Sequence, residues 1–231
     1  MPLLTALPKH MQISESLIRD IQAGRLLDGE RLPPERAMAA SLGTSVGTLR
    51  KALGALEDKG FLRRVQGSGN YVKAGATEAG VYALFRLERP EGGGLPRAEL
   101  IDARVMAKPG DLPQFGASDR ATRIRRLRFL DNTPVAAEEI WLDAASGTLN
   151  AEQMSESLYR TYQNRLGLWI ARAEDRVHLN PFPDWTPAAL ARPGEVAGYV
   201  ERWARSTEGV TVEYSRTWFH GARARYVQRL R

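Results

Sequence analysis

Two groups of side chains in this sequence have the types and spacing to hold an anion. In the first, Arg36, Arg50 and Lys51 lie in a stretch that ends at a glycine-rich Gln66-Gly67-Ser68-Gly69. Cationic side chains attract phosphate, and a glycine tip lets backbone N–H groups approach a phosphate or enter a groove. In the second, Arg126 and Arg128 alternate along Arg123-Ile124-Arg125-Arg126-Leu127-Arg128-Phe129-Leu130, and Glu138 follows beyond a turn. A planar guanidinium fork makes paired bonds to carboxylate or phosphate that a lysine does not reproduce. With no cysteine there is no thiolate ligand or thiol nucleophile. His10, His178 and His220 are isolated, without ligand spacing or a serine–histidine–acid arrangement. The sequence therefore predicts binding without catalysis, with no metal and no cofactor.

The first group sits on a helical pattern. Ile13, Leu17 and Ile21 form one stripe with Ile18 beside it, which predicts a helix from Lys9 to Ala23 stopped by Gly24. A second helix opens at Pro34, where proline loses no needed hydrogen bond, and runs through Leu42 to Gly43. Ser45 caps a third, from Val46 to Lys59, with Leu49, Leu53 and Leu56 inward and Gly47, Thr48, Arg50 and Lys51 outside or flanking. Helices joined by so tight a turn cross steeply, as in a helix-turn-helix. Phe61–Val65 and Asn70–Val72 around the glycine tip make a two-stranded wing. The exposed first turn of the third helix is small and polar, as entry into a major groove requires. Neither Arg36 nor Arg50 has a predicted acidic partner.

The second group belongs to an α+β pattern. A three-residue turn at Asp131-Asn132-Thr133 would pair Leu130 with Pro134, placing Arg126 opposite Glu138 and Arg128 opposite Ala136, on one face with Ile124 and Ile140. Buried guanidiniums on such a face need a partner, so this reading makes a ligand pocket. A one-residue slip would instead turn the face to solvent. A further strand, Trp169 to Leu179, alternates as if to cover a core from one side, and Tyr199–Arg205 and Val210–His220 read as the last long strands. A helix is expected from near Ala151 through Leu158 and Leu166 to Gly167, and a short one from Thr186-Pro187.

Of the 231 residues, 43% are hydrophobic and 26% charged, the composition of a globular protein. Net charge is +6, concentrated early: residues 1–74 carry eleven Lys/Arg against seven Asp/Glu, and the rest 22 against 20. A basic surface suits polyanions. The apolar runs are too short for a membrane span, and Met1–Pro8 lacks the features of an export signal, so the expected location is cytoplasmic. Lys73-Ala74-Gly75-Ala76-Thr77-Glu78-Ala79-Gly80 is the clearest boundary. It divides the chain into residues 1–74, a linker at 75–80, and residues 81–231.

Leu32-Pro33-Pro34-Glu35-Arg36, Leu42-Gly43, Ser45, Thr48, Arg50-Lys51-Ala52-Leu53, Gly60-Phe61-Leu62 and Gln66-Gly67 through Tyr71-Val72 resemble the winged reader head of GntR-family regulators. That resemblance implies operator-DNA contacts by Arg36, Thr48, Arg50 and Gly67, with Ser45 and Gln66 as further contacts by position. Many relatives carry arginine where this chain has Val46, so the operator differs from the common one or Val46 touches a thymine methyl. Ile124 through Arg128, Pro134, Glu138, Ser157-Leu158-Tyr159 and Gly209 through Ser215 resemble the UTRA sensor domain of the HutC branch, whose fold is similar to chorismate lyase. This second resemblance implies a small, anionic effector held by Arg126, Arg128, Glu138, Ser157, Tyr159 and Glu213, and a homodimer that responds to it on double-stranded operator DNA, as a repressor. It favours the pocket over the solvated face. The alternative is a chorismate-lyase-like enzyme with an appended winged helix.

Overall fold

The computed structural model describes residues 7–73 and 84–229; the predicted linker at 75–80 lies outside them. The chain forms two compact units, one from Leu7 to Leu87 together with the residues from Tyr226 onward, the other from Glu88 to Arg225. No described helix is long and apolar enough to cross a membrane.

The first unit holds helices α1 (Lys9–Gln22), α2 (Glu35–Ser41) and α3 (Val46–Asp58), then strands β1 (Leu62–Val65) and β2 (Gly69–Val72). The predicted apolar stripes are what they bury: Ile13, Leu17 and Ile21 from α1 pack with Leu49, Leu53 and Leu56 from α3, and Phe61, Leu62 and Val72 close the cluster. Truncating one of these leucines to alanine costs about 2–5 kcal/mol. Pro34 stands one residue before α2, so its fixed φ sets the entry to the helix, not the first turn. Gly43 carries φ +57°, a left-handed turn that glycine adopts without strain. It lets the chain leave α2 and reach Ser45, whose Oγ accepts the Thr48 N–H at 3.1 Å and caps α3.

The second unit is a six-stranded antiparallel sheet. Its strands are β3 (Pro96–Ala107), β4 (Arg120–Leu130), β5 (Thr133–Asp143), β6 (Ile170–Pro181), β7 (Val196–Ser206) and β8 (Thr211–Phe219), in the order β3-β4-β5-β8-β7-β6. Both faces of its centre are buried. Ile124, Ile140 and Leu142 pack under helix α4 (Leu158–Leu166) against Leu158 and Tyr162. On the reverse, Leu127, Ala137 and Trp218 pack with Phe182 and Leu190.

Four expectations change. The β4–β5 turn has two residues, because Leu130 pairs with Thr133, and Asp131 takes a left-handed φ of 55°. A bulge between Arg128 and Phe129 absorbs the extra residue, so Arg126 still faces Glu138 and Arg128 still faces Ala136. The strand expected to cover a core is β6, the sheet's outer edge, with Val177 and Leu179 exposed on it and Trp169 exposed just before it. The helix expected from Ala151 is interrupted: a 3-10 turn at Ala151–Gln153 precedes α4, which starts only at Leu158. Thr186-Pro187 opens turns and no helix. Strand β3 had no clear signal, since its apolar residues do not alternate cleanly.

Candidate nucleic-acid interface and buried charged cluster

Helix α3 presents its first turn to solvent. Ser45, Arg50 and Lys51 are exposed and Thr48 is half-buried, with its Oγ1 2.9 Å from Ser45 Oγ. Arg36, on α2, is also exposed. Contrary to the sequence expectation, Arg50 has an acidic partner: its Nε donates to Glu35 Oε2 at 2.7 Å. Arg64 ties the wing to the same helix, donating from Nη2 to the Arg50 carbonyl at 3.3 Å and pairing with Glu57 at 3.0 Å. The wing tip projects freely. Gly67 holds φ +74°, and a Cβ placed there would meet nothing within 4 Å. Gln66 and Gly67 border an open hollow with Glu35, Arg64 and Asn70, so the first turn of α2 and the wing share one concave surface. Val46 is half-buried against the hydrophobic cluster, and that packing accounts for an apolar residue at this position.

The second group converges on the sheet face that α4 covers. Successive cross-strand partners set Arg126 beside Glu138 and Glu138 beside Thr217. The next row runs Ile140, Ser215, Arg202, Asp175, and the row after it sets Leu142 beside Glu213. Arg126 grips one oxygen of Glu138 through Nε at 3.0 Å and Nη2 at 2.6 Å, and Arg128 Nη1 lies 3.8 Å from the same oxygen. Across the sheet, Glu213 Oε1 accepts from Tyr159 Oη at 3.2 Å and Oε2 from Tyr162 Oη at 2.7 Å. Arg202 holds Asp175 with two bonds of 2.6 Å.

Burial pushes the Glu213 carboxyl up to about 7; the Tyr162 hydrogen bond opposes the rise and the Glu138 charge adds to it. Burial also pushes Glu138 up, but Arg126 and Arg128 together outweigh it and leave that carboxyl below its ordinary value. Burial and the neighbouring Glu213 charge raise both Tyr159 and Tyr162, which stay protonated donors. Three guanidiniums thus face three carboxyl groups, one of which takes up a proton near neutrality. The balance favours an anion. Two buried polar atoms, Arg126 Nη1 and Ser157 Oγ, have no hydrogen-bond partner among the described residues. Ser157 precedes α4 without its side chain capping the helix. Orphaned donors in a buried site are costly unless something satisfies them.

All six residues expected for the pocket, Arg126, Arg128, Glu138, Ser157, Tyr159 and Glu213, are therefore on or beside this face. Sequence reasoning missed Tyr162, Arg202 and Asp175. Tyr162 carried a usable signal, since it lies three residues after Tyr159 on one helix and so shares its face. Arg202 and Asp175 carried none, because their place depends on which strands are neighbours.

Residues 9–72 match the family described as bacterial regulatory proteins, gntR family, and residues 91–225 match the UTRA domain. The HTH-type transcriptional regulator SmoD of Agrobacterium fabrum is 52% identical over 228 residues, covering 98% of this chain and 97% of its own. The chain is a GntR-family transcriptional regulator with a UTRA domain. Two more distant relatives are named as repressors. The mannosyl-D-glycerate transport/metabolism system repressor MngR of Escherichia coli is 27% identical over 92% of each chain. NagR of Bacillus subtilis is 26% identical over 96% of this chain and 94% of its own. The fold is shared with YydK of Bacillus subtilis, at a TM-score of 0.55 and 20% identity over 97% of this chain and all of that one. For a GntR-family chain, the matched residues 9–72 are the DNA-binding domain and the matched residues 91–225 the effector domain.

Proposed function

We propose that this regulator binds a two-fold operator as a cytoplasmic homodimer and represses transcription until a small anion occupies the UTRA pocket. Heads would span residues 1–74 and sensors 81–231, joined at 75–80. Arg36, Ser45, Thr48, Arg50, Gln66 and Gly67 make the DNA contacts, the arginines to phosphate or base edges and the wing glycine through its backbone. One head reads few base pairs, whereas two related by symmetry share one operator. In the sensor, Arg126 and Arg128 hold the anionic group, Ser157 and Tyr159 donate to the ligand, Glu213 accepts from a ligand hydroxyl or amine, and Glu138 orients Arg126. The observation that carries this reading is the buried Arg126–Glu138 pair with Arg126 Nη1 and Ser157 Oγ left without partners. Repression is supported by the two relatives named repressors, and an acid ligand by MngR's name, since D-glycerate bears a carboxylate.

The response cannot exceed the ligand's difference in affinity for the DNA-competent and incompetent states. Operator binding is therefore measured for wild type and Arg128→Ala, with and without mannosyl-D-glycerate and D-glycerate, on a duplex selected by the wild-type chain. Wild type should release the duplex on addition of an acid probe, and Arg128→Ala should bind it equally well but no longer respond. An Arg128→Ala chain that responds as wild type does would end the anion-pocket reading.

A further inference from the structure

The wing has two faces, and only the inner one borders the interface described above. On that face Arg64 stands opposite Asn70 and reaches back to α3. On the other, Arg63 stands opposite Tyr71, and a bridge from the segment before α2 sets Arg31 on the far side of the same tyrosine. Cross-strand partners share a face, so two exposed guanidiniums flank one phenol. The Arg31 side chain runs across Gly69, where a Cβ would sit 3.3 Å from its Nε, so glycine there leaves room for the guanidinium. Arg63 Cζ lies 6.0 Å from the centre of the Tyr71 ring, and Tyr71 Oη is 2.6 Å from Ser68 Oγ, which ties the row to the wing tip. We propose that Arg31 and Arg63 hold DNA backbone phosphates on the outer side of the wing, a cationic contact separate from that of α2 and α3. This rests on the DNA-binding reading above and adds a second wall of the groove to the contact.

Pairing with acids sets these two cations apart from others in the head. Arg50 is bonded to Glu35, Arg64 to Glu57 and Lys59 to Glu15, whereas Arg31 and Arg63 have no acidic partner among the described residues. Glu30, next to Arg31 in sequence, turns back to accept the Leu27 N–H at 2.8 Å. Of the two hydroxyls on Ser68 and Tyr71, one donates to the other, which leaves one proton for an outside acceptor. Two guanidiniums without counter-charge and a hydroxyl donor on one face suit phosphate oxygens, to which the guanidinium fork makes paired bonds. A groove is walled by the phosphates of both strands, and the minor groove is only about 6 Å wide. A wing entering tip first therefore meets a wall on each side. Its inner face meets one, beside the hollow of α2, and Arg31 and Arg63 meet the other. Contacts to phosphate carry no base information, so this pair adds affinity alike for every sequence.

Salt dependence tests this on the full chain, by fluorescence anisotropy with the selected duplex and with one of scrambled sequence. Each phosphate contact adds about 0.9 to the slope of log affinity against log salt. Between about 50 and about 200 mM salt, wild type should therefore lose about tenfold more affinity than the double variant Arg31→Ala/Arg63→Ala, by the same factor on both duplexes. The double variant Arg31→Lys/Arg63→Lys keeps both charges and should keep the wild-type slope. Thermal melts of each variant check the fold. An alanine variant with the wild-type slope overturns the outer contact while operator binding through α3 stands. A loss confined to the selected duplex overturns it as well, because the arginines would then read bases. A lysine variant that loses as much as the alanine variant assigns both arginines to packing against Gly69 and Tyr71, and the proposal fails. A wild-type chain from which no duplex can be selected overturns the DNA-binding reading together with it.

Discussion

Arg50 and Glu35 are joined by a 2.7 Å hydrogen bond that runs from the exposed face of α3 back to the first residue of α2. The same carboxylate residue, Glu35, borders the hollow beneath the wing. An exposed ion pair contributes about 0–1 kcal/mol to stability, so the arrangement serves position more than folding.

Replacing Arg50 by alanine should therefore leave the melting temperature nearly unchanged. Operator affinity should fall by about 1–3 kcal/mol if the contact is to a base edge, or lose about one counterion of salt dependence if it is to phosphate. Fluorescence anisotropy on a selected duplex at several salt concentrations separates the two. Glu35→Gln should keep the fold and loosen sequence discrimination more than total affinity. Wild-type binding by the Arg50→Ala chain would remove this arginine from the interface.

A second prediction follows from the Glu213 carboxyl. Its folded value of about 7 lies above its ordinary 4.5, so between these limits the folded chain binds a proton that the unfolded chain has released. Stability contributed by that proton is present below pH 4.5 and lost as the pH rises to about 7. The slope approaches about 1.4 kcal/mol per pH unit for one proton. Glu138 acts in the opposite sense and lower, because its depressed value makes the fold lose stability as the pH falls below its ordinary 4.5. Urea melts between these limits should show the decline in wild type, and Glu213→Gln should flatten it. An unchanged slope in the variant would assign the proton elsewhere.

Close packing makes the third. Gly198 lies opposite Phe219 across β7 and β8, and a Cβ at position 198 would sit 2.2 Å from the tip of that ring. Phe219 is buried and would have to shift to admit the methyl, so Gly198→Ala should cost about 1–3 kcal/mol. Adding Phe219→Leu shortens the obstructing side chain and should recover part of the loss. A Gly198→Ala chain that melts with wild type would show that the ring has room to move.

The sequence by itself was sufficient for the reader head. Its three helices and wing are specified by local signals: apolar stripes at helical spacing, Ser45 as a cap, and glycines at 43 and 67 where the backbone turns left-handed. Such signals act over a few residues and need no knowledge of distant neighbours. The β4–β5 hairpin was nearly as legible. The turn was one residue shorter than expected and a bulge restored the register, because burying Ile124 and Ile140 on one face fixes the pairing more strongly than the loop does.

Tertiary structure decided what lies far apart in sequence. The order β5-β8-β7-β6 brings Glu213 to Tyr159 across 54 positions and carries Arg202 and Asp175 to the same face as Arg126. It also makes β6 an edge, although its alternation reads like that of a buried strand. Alternation records only that two faces differ; whether a strand has one neighbour or two is a property of the assembled sheet. For the same reason Glu35 became the partner of Arg50. Fifteen positions separate them, and only the packing of α2 against α3 brings the carboxylate within hydrogen-bonding distance of the guanidinium.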